Sequence, residues 1–285
     1  MLKILSPGSW SQAELESRAG VCALTVMAKA PRPGTVKTRL SPPLTREQAA
    51  ALNVCFLRDT TENIASTASG GSAAPSRIAG LVSYTPVEDE RLFQGLLPEN
   101  FALIAQRGEG FGDRLLAAAE DILACGYDSV CLIDSDSPTV PNAVYQMAVT
   151  ELARAGDRIV MGSAADGGYY LIGMKQAHAA IFAGISWSTG QVAEETRERA
   201  QTAGIELFEL PLWYDVDDAA TLAILKAELL AGMPPGFATL PGYGAPHTRE
   251  FLLAQDSASS AASVATAPDS TSAESRNEES WENAS

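Results

Sequence analysis

From Val21 to Leu230 the chain alternates short apolar runs, about 5 to 8 residues each, with longer segments in which apolar residues recur at helical spacing. A run of that length makes one buried strand, and the helical segments between runs supply the crossovers that parallel strands require. The alternation predicts an α/β domain, a doubly wound, mostly parallel sheet of about seven strands flanked by helices. Strands are expected at Val21 to Met27, Ile78 to Ser83, Ala102 to Ala105, Ser129 to Ile133, Arg158 to Met161, Tyr169 to Gly173 and Ile205 to Leu210. Helices are expected from Thr45 to Ile64, Gly112 to Cys125, Asn142 to Ala155, Gly190 to Ala203 and Asp217 to Leu230, the first opened by the capping box Thr45-Arg-Glu-Gln48. In such sheets ligands bind beyond the carboxyl ends of the strands, so the residues after Met27, Ile133 and Leu210 are where chemistry is expected.

The ends read differently. Residues 1–20 suggest an irregular extension, 232–253 a loop segment, and Ser66 to Arg77 a flexible loop rich in Ser, Gly and Ala. Residues 254–285 hold nine Ser, eight Ala and six acids against the single Arg276, the composition of a disordered acidic tail. The transferable unit is thus expected within 21–231. None of the apolar runs approaches the roughly 20 residues of a membrane span, and the first residues lack the apolar stretch of a signal peptide, so a cytoplasmic protein is expected.

Charge excludes another class. With 20 basic and 35 acidic residues the chain carries −15, which disfavours a nucleic-acid surface. Cys22, Cys55, Cys125 and Cys131 lack C-x-x-C spacing and sit in apolar runs, so they read as buried thiols in a reducing compartment. His178 and His247, the only histidines, lie beside no cysteine or carboxylate motif, which leaves zinc sites and histidine triads poorly supplied. Carboxylates, cations and a hard metal are the remaining means.

Four segments match that description. After the first strand, Ala28 to Leu40 places Lys29, Arg32, Lys37 and Arg39 in one loop shaped by two prolines and Gly34, suited either to phosphate oxygens or simply to solvent. It is not a Walker loop, because the required glycines are missing around Lys37. After the fourth strand, Asp134 and Asp136 stand two apart and share a side if the strand persists, which suits Mg²⁺ or Mn²⁺; turn residues before Pro138 are the alternative. Asp166-Gly167-Gly168 offers close backbone approach and a carboxylate for an acceptor hydroxyl, or a plain hairpin turn. After the last strand, Asp215 or Asp217 reads as a second metal ligand facing Asp136, the alternative being that Asp217 and Asp218 are favourable charges at a helix start. Thr189 reads as a cap and Trp187 as either core or a platform for a base or sugar ring, and Gly112 as a point of close packing, with Arg114 beside it an ion-pair partner.

In this order the segments Lys29-Ala-Pro31, Pro33-Gly34, Val36-Lys-Thr-Arg-Leu40, Gly112-Asp-Arg-Leu115, Asp136-Ser-Pro138, Asp166-Gly-Gly-Tyr169, Trp187-Ser-Thr189 and Asp215-Val-Asp217 resemble the rSAM/selenodomain-associated transferase 1 family, a branch of the nucleotide-diphospho-sugar transferase superfamily. The resemblance spans roughly Val21 to Leu230 and implies a single Rossmann-like domain of the GT-A type. It further implies a nucleotide held by the cationic loop, a divalent cation on Asp136, and an acidic site completed by Asp215 and Asp217. The family's strand-end motif usually reads Gly-Ser-Asp-x-Pro; here Asp134 stands in the glycine position, so Asp136 inherits the metal role.

The leading expectation is metal-dependent glycosyl transfer from a nucleotide-diphospho-sugar to a small acceptor, with Lys37 and Arg39 steadying the leaving diphosphate and Asp166 serving the acceptor. Nucleotidyl transfer with release of pyrophosphate is the rival. Lys37-Thr-Arg-Leu-Ser-Pro-Pro-Leu-Thr45 is similar to a stretch of the sugar-phosphate nucleotidyltransferases, although their glycine-rich loop is replaced here by Ala28 to Gly34. A silent nucleotide-binding partner protein is the third expectation.

Overall fold

The computed structural model describes residues 3–8, 10–69 and 77–265. In chain order the elements are β1 (Lys3–Leu5), α1 (Gln12–Arg18), β2 (Val21–Lys29), α2 (Arg46–Ser69), β3 (Arg77–Thr85), β4 (Ala102–Ala105), α3 (Phe111–Ala124), β5 (Ser129–Ile133), α4 (Asn142–Ala153), β6 (Arg158–Ala164), β7 (Tyr169–Met174), α5 (Ala179–Phe182), α6 (Val192–Thr202), β8 (Glu206–Trp213), α7 (Ala219–Ala231) and α8 (Pro246–Ala265). Eight strands form one sheet in the order β1-β4-β3-β2-β5-β7-β6-β8. All neighbours are parallel except β7, which runs antiparallel to both β5 and β6.

Period-2 alternation divides the side chains between two cores. On β2, Cys22, Leu24 and Val26 face the layer of α2, α4, α7 and α8, while Ala23 faces the layer of α3, α5 and α6. On β5, Cys131 and Ile133 take the first side and Val130 and Leu132 the second. Both faces of the central strands are covered, which is why they read as continuous apolar runs. All four cysteines are free thiols, three of them buried.

The structure corrects the expected ends. Residues 3–18 are not irregular: β1 pairs in parallel with β4 and extends the sheet to eight strands, and α1 opens with a capping box between Ser11 and Glu14. A strand of three residues is too short to show as a periodic pattern, and its pairing partner lies about a hundred residues away. The expected loop of 232–253 instead contains the start of α8, which packs on α2 and α7. The expected tail begins inside that helix, where Gln48 bonds Gln255 and Lys226 pairs with Asp256; residues 266–285 lie outside the described residues. Likewise Ser66–Ser69 are the last turn of α2 rather than loop, and 70–76 lie outside the described residues.

Thr45 and Gln48 cap α2 reciprocally, as the motif requires. The capping matters to the site because α2 begins where the loop after β2 ends, and so anchors that loop's far side.

Candidate active site

The carboxyl ends of β2, β5, β6 and β8 converge on two adjoining cavities, of about 260 and 580 Å³. The smaller is walled by the loop after β2, including Lys29, Thr35, Lys37 and Arg39. The larger is walled by carboxylates and by Phe111, Tyr169 and Trp187. Arg39, Asp136 and Asp217 belong to both walls and define the junction.

Lys37 organises that junction. Its backbone is left-handed, with φ +49°, at the start of a 3-10 turn over Thr38–Leu40, and this bend aims the side chain inward. The ammonium is 2.8 Å from Asp136 Oδ1 and 3.1 Å from Asp217 Oδ1, and donates to the carbonyl of Val216 at 2.7 Å. Its three protons thus meet three acceptors. Burial to 4% exposure would lower its pKa, but Asp136 and Asp217 outweigh that, and the pKa is raised. Arg39, 72% exposed, pairs with the other oxygen of Asp217 and stands at the mouth.

The two aspartates of the β5 end do different things. The strand stops at Ile133, so period-2 alternation does not carry both carboxylates to one side. Asp134 turns back on its own loop: Oδ1 accepts the N–H groups of Asp136 and Ser137, each at 3.2 Å, and Oδ2 accepts the hydroxyl of Ser137 at 2.7 Å. Its pKa is raised well above the usual range, by burial first and by Asp136 next. Asp136 projects to Lys37, and its carbonyl accepts the N–H of Val216, tying the β5 loop to the segment after β8.

That segment separates three carboxylates. Asp218 caps α7, accepting from Ala220 and Thr221, as its place before a helix suggests. Asp217 faces Lys37 and Arg39. Asp215 faces the larger cavity without a cation partner among the described residues, and burial together with Asp166, Asp217 and Asp136 pushes its pKa up to about 6. Asp136, Asp215 and Asp217 are carboxylates of the kind a hard divalent cation takes, and Asp134 shapes the loop, but the three do not draw their oxygens within 4.8 Å of one another as a set, and Lys37 holds two of them.

The β6–β7 turn at Asp166-Gly167-Gly168 is a hairpin, and Asp166 and Gly168 also line the cavity. Asp166 Oδ1 accepts the N–H of Gly168 at 2.8 Å, while its carboxylate stays in the cavity wall. Gly167, at φ +91°, packs against the segment before α6: a Cβ there would lie 2.1 Å from the carbonyl oxygen of Gly190. Thr189 joins the same wall; its hydroxyl donates to the carbonyl of Ser186 and accepts from Gln191 N. Gly112 lines neither cavity, but a Cβ on it would sit 2.8 Å from Nε1 of Trp187. Its absent side chain is what lets the indole lie along α3, edge-on to Phe111 and Tyr169.

Of the expected residues, Gly112 and Gly167 pack behind the walls without lining either cavity, and two more are not brought to the site. Arg32 turns away to pair with the buried Asp89, and Gly34, at φ +77°, serves the turn and packs near Arg46. Lys29 does line the smaller cavity, its ammonium held 3.1 Å from the carbonyl of Thr35. Arg114 makes no carboxylate pair among the described residues; it donates to the carbonyl of Glu109. Sequence reasoning missed Phe111 and Tyr169, the other two rings of the wall. Their signal was adjacency to Gly112 and Gly168, which were already singled out.

It also missed a cluster on the opposite helical layer. Oxygens of Asp59 and Glu62 and the ring of His247 lie within 4.8 Å of one another, with His247 Nε2 2.8 Å from Glu62. Asp59 is engaged as the cap of α8, its two oxygens accepting from His247 N at 3.0 Å and Thr248 N at 2.8 Å. His178, likewise, stands 3.0 Å from Asp157.

Residues 72–189 match the family "Uncharacterized protein conserved in bacteria (DUF2064)". No curated protein sequence matches. Among solved structures, the chain is similar to the crystal structure of a "putative nucleotide-diphospho-sugar transferase" from Desulfovibrio desulfuricans G20, with 29% identity, a TM-score of 0.68, and coverage of 83% of this chain and 95% of that one. A CMP:2-keto-3-deoxy-manno-octonic acid synthetase complexed with CTP is more distant, at 13% identity and a TM-score of 0.47 over 75% of this chain and 100% of that one. The fold and the first likeness support the nucleotide-diphospho-sugar transferase superfamily, and with it a transferase. Among the described residues no helix is long and apolar enough to cross a membrane.

Proposed function

We propose that the protein is a metal-dependent glycosyltransferase of the rSAM-associated branch, using a nucleotide-diphospho-sugar donor and a small-molecule acceptor. The observation that carries this reading is the shared junction: a cationic cavity and an acidic, aromatic one meet at Arg39, Asp136 and Asp217. A diphosphate bridging them would leave the nucleoside on one side and the sugar on the other. The transferase unit is 21–231, buttressed by β1, α1 and α8.

In this mechanism Lys29 and Arg39 bind the donor's phosphates, and Lys37, its protons held by Asp136, Asp217 and the Val216 carbonyl, adds its charge beside them; together they oppose the charge that grows on the departing nucleoside diphosphate, which is where preorganised cations accelerate transfer. Asp136, Asp215 and Asp217 would hold Mg²⁺ or Mn²⁺, which supplies Lewis-acid stabilisation of the diphosphate when bound. Asp166 orients the acceptor hydroxyl and accepts its proton. Gly167 and Gly168 set the depth of that carboxylate, Trp187 and Thr189 border the transferred sugar, and Gly112 seats Trp187.

Nucleotidyl transfer is the second reading, favoured by one observation: Lys37 to Arg39, the stretch similar to the nucleotidyltransferases, lines the smaller cavity directly. Product analysis separates the two. Incubated with Mg²⁺ or Mn²⁺ and pooled nucleotide-sugars, the protein is expected to release nucleoside diphosphate, and the Asp136→Ala variant, folded as judged by circular dichroism, is expected not to. Pyrophosphate from nucleoside triphosphates plus sugar phosphates would replace this reading with the second. Nucleotide binding without turnover in either mixture would favour a silent partner protein.

A further inference from the structure

Resting on that reading, we propose that the larger cavity takes an uncharged, hydroxylated ring as acceptor and rejects acceptors that carry a phosphate or carboxylate group. The argument begins with a count of cations. Five aspartates contribute to the wall, 134, 136, 166, 215 and 217, and the one cationic side chain that joins them is Arg39, at the junction with the smaller cavity. Arg39 is already paired with Asp217, and the three protons of Lys37 are taken by Asp136, Asp217 and the Val216 carbonyl. Of the others, Asp134 is turned to its own loop, Asp215 is assigned above to the metal, and Asp166 remains with no cation partner among the described residues. Two positive charges added at the junction would stand beside the first cavity and the donor's diphosphate, not at the far wall.

Backbone donors at this cavity are in part engaged within the chain. Helices α3 and α6 both begin at this cavity, and helix starts attract anions. Here, however, Gln191 N donates to Thr189 Oγ1 at 3.3 Å and Ala193 N to the Gly167 carbonyl at 2.9 Å. At α3, Gly110 N donates to Asp113 Oδ2 at 3.1 Å, so a carboxylate of the chain already occupies that helix start.

What the far wall does offer suits a sugar or cyclic polyol. Phe111, 46% exposed, and Trp187 meet edge to face with centroids 5.1 Å apart, and Tyr169 adds a third ring 6.4 Å from Trp187. Such rings pack against the C–H face of a pyranose, while the carboxylate of Asp166 accepts its hydroxyl protons. A cavity of about 580 Å³ has room for a ring beside the donor's own sugar.

The test is binding to the full chain in Mg²⁺, by calorimetry and by tryptophan fluorescence with Trp187→Phe as the control. The probes are glucose, galactose and mannose, each against its 6-phosphate, with UDP, GDP, CDP and ADP titrated separately. At least one neutral sugar is expected to bind about tenfold or more tightly than its 6-phosphate, without displacing the nucleoside diphosphate. Asp166→Asn is expected to shrink that preference at least about threefold, an effect that a merely structural role for Asp166 would not produce. If a nucleoside diphosphate binds but the phosphate esters bind as tightly as the neutral sugars, or no neutral sugar binds, the acceptor proposal is overturned and the transferase reading stands. If no nucleoside diphosphate binds, the transferase reading falls and takes the proposal with it.

Discussion

The ammonium of Lys37 lies 2.8 Å from Oδ1 of Asp136, joining the loop after β2 to the loop after β5 across the mouth of the sheet. The pair sits where a cation is needed twice, once for the carboxylates and once for the phosphates of a donor. Replacing Lys37 with Met keeps the bulk and removes the charge, leaving Asp136 and Asp217 facing each other. K37M is expected to lose about 1–3 kcal/mol of stability in metal-free buffer, since both carboxylates are partly solvated, and to regain part of it in Mg²⁺. Thermal unfolding with and without Mg²⁺ measures both, and an unchanged midpoint would contradict the bridging role.

Asp215 predicts a pH dependence with a definite sign. Its carboxyl is raised from 3.8 to about 6 in the folded, metal-free protein, so the native state binds the proton more tightly than the unfolded chain does. Stability therefore falls as pH rises from about 4 to about 6, and the loss is complete above that window. D215N removes it. The variant is expected to exceed the parent by on the order of 1–2 kcal/mol at pH 7.5 without metal, after allowance for solvent screening, and to match it near pH 4. Denaturant melts at the two pH values test this, and equal stability at pH 7.5 would count against the crowding of carboxylates around Asp215.

Gly167→Ala tests the hairpin that carries Asp166. The backbone there is left-handed and the new Cβ would meet the Gly190 carbonyl at 2.1 Å, a contact with backbone that has little room to move. About 2–4 kcal/mol of destabilisation is expected, read from denaturant melts. Activity should fall further than the folded fraction does, because relief of the clash displaces Asp166.

The C-terminal helix predicts an asymmetry between two truncations. Ending the chain at Ala265 is expected to leave the melting temperature and the activity unchanged. Ending it before Pro246 strips the two N–H donors from the fully buried Asp59 and is expected to cost several degrees or prevent folding. Circular dichroism melts of the two truncations decide it. A cut at 254 is not equivalent to a cut at 265, since it also removes Gln255 and Asp256 and their contacts to Gln48 and Lys226.

Much of the core was legible because its signals are local. The strand over Ser129–Ile133 is five consecutive apolar or small residues followed by aspartate, and the structure places it at those bounds. The cap at Thr45 needs only the residue three positions on. By contrast, β1 depends on a partner about a hundred residues distant, and the helical start of α8 depends on a carboxylate from α2, so neither leaves a periodic trace of its own.

The same division runs through the site. Sequence by itself determined which residue types collect at the strand ends, since a strand terminating in Asp, a cationic loop and an Asp-Gly-Gly turn are each written within a few consecutive positions. Only the tertiary structure decided their partners. Asp134 turned to its own loop and Asp136 to Lys37, Arg32 left for Asp89, Asp218 capped a helix while Asp215 stayed unpaired, and Phe111, Tyr169 and Trp187 became one wall. The physical reason is range. Backbone propensity and capping act over a few residues, whereas a charge is matched, and a ring is stacked, by whatever the sheet brings within a few ångströms from segments far apart in the chain.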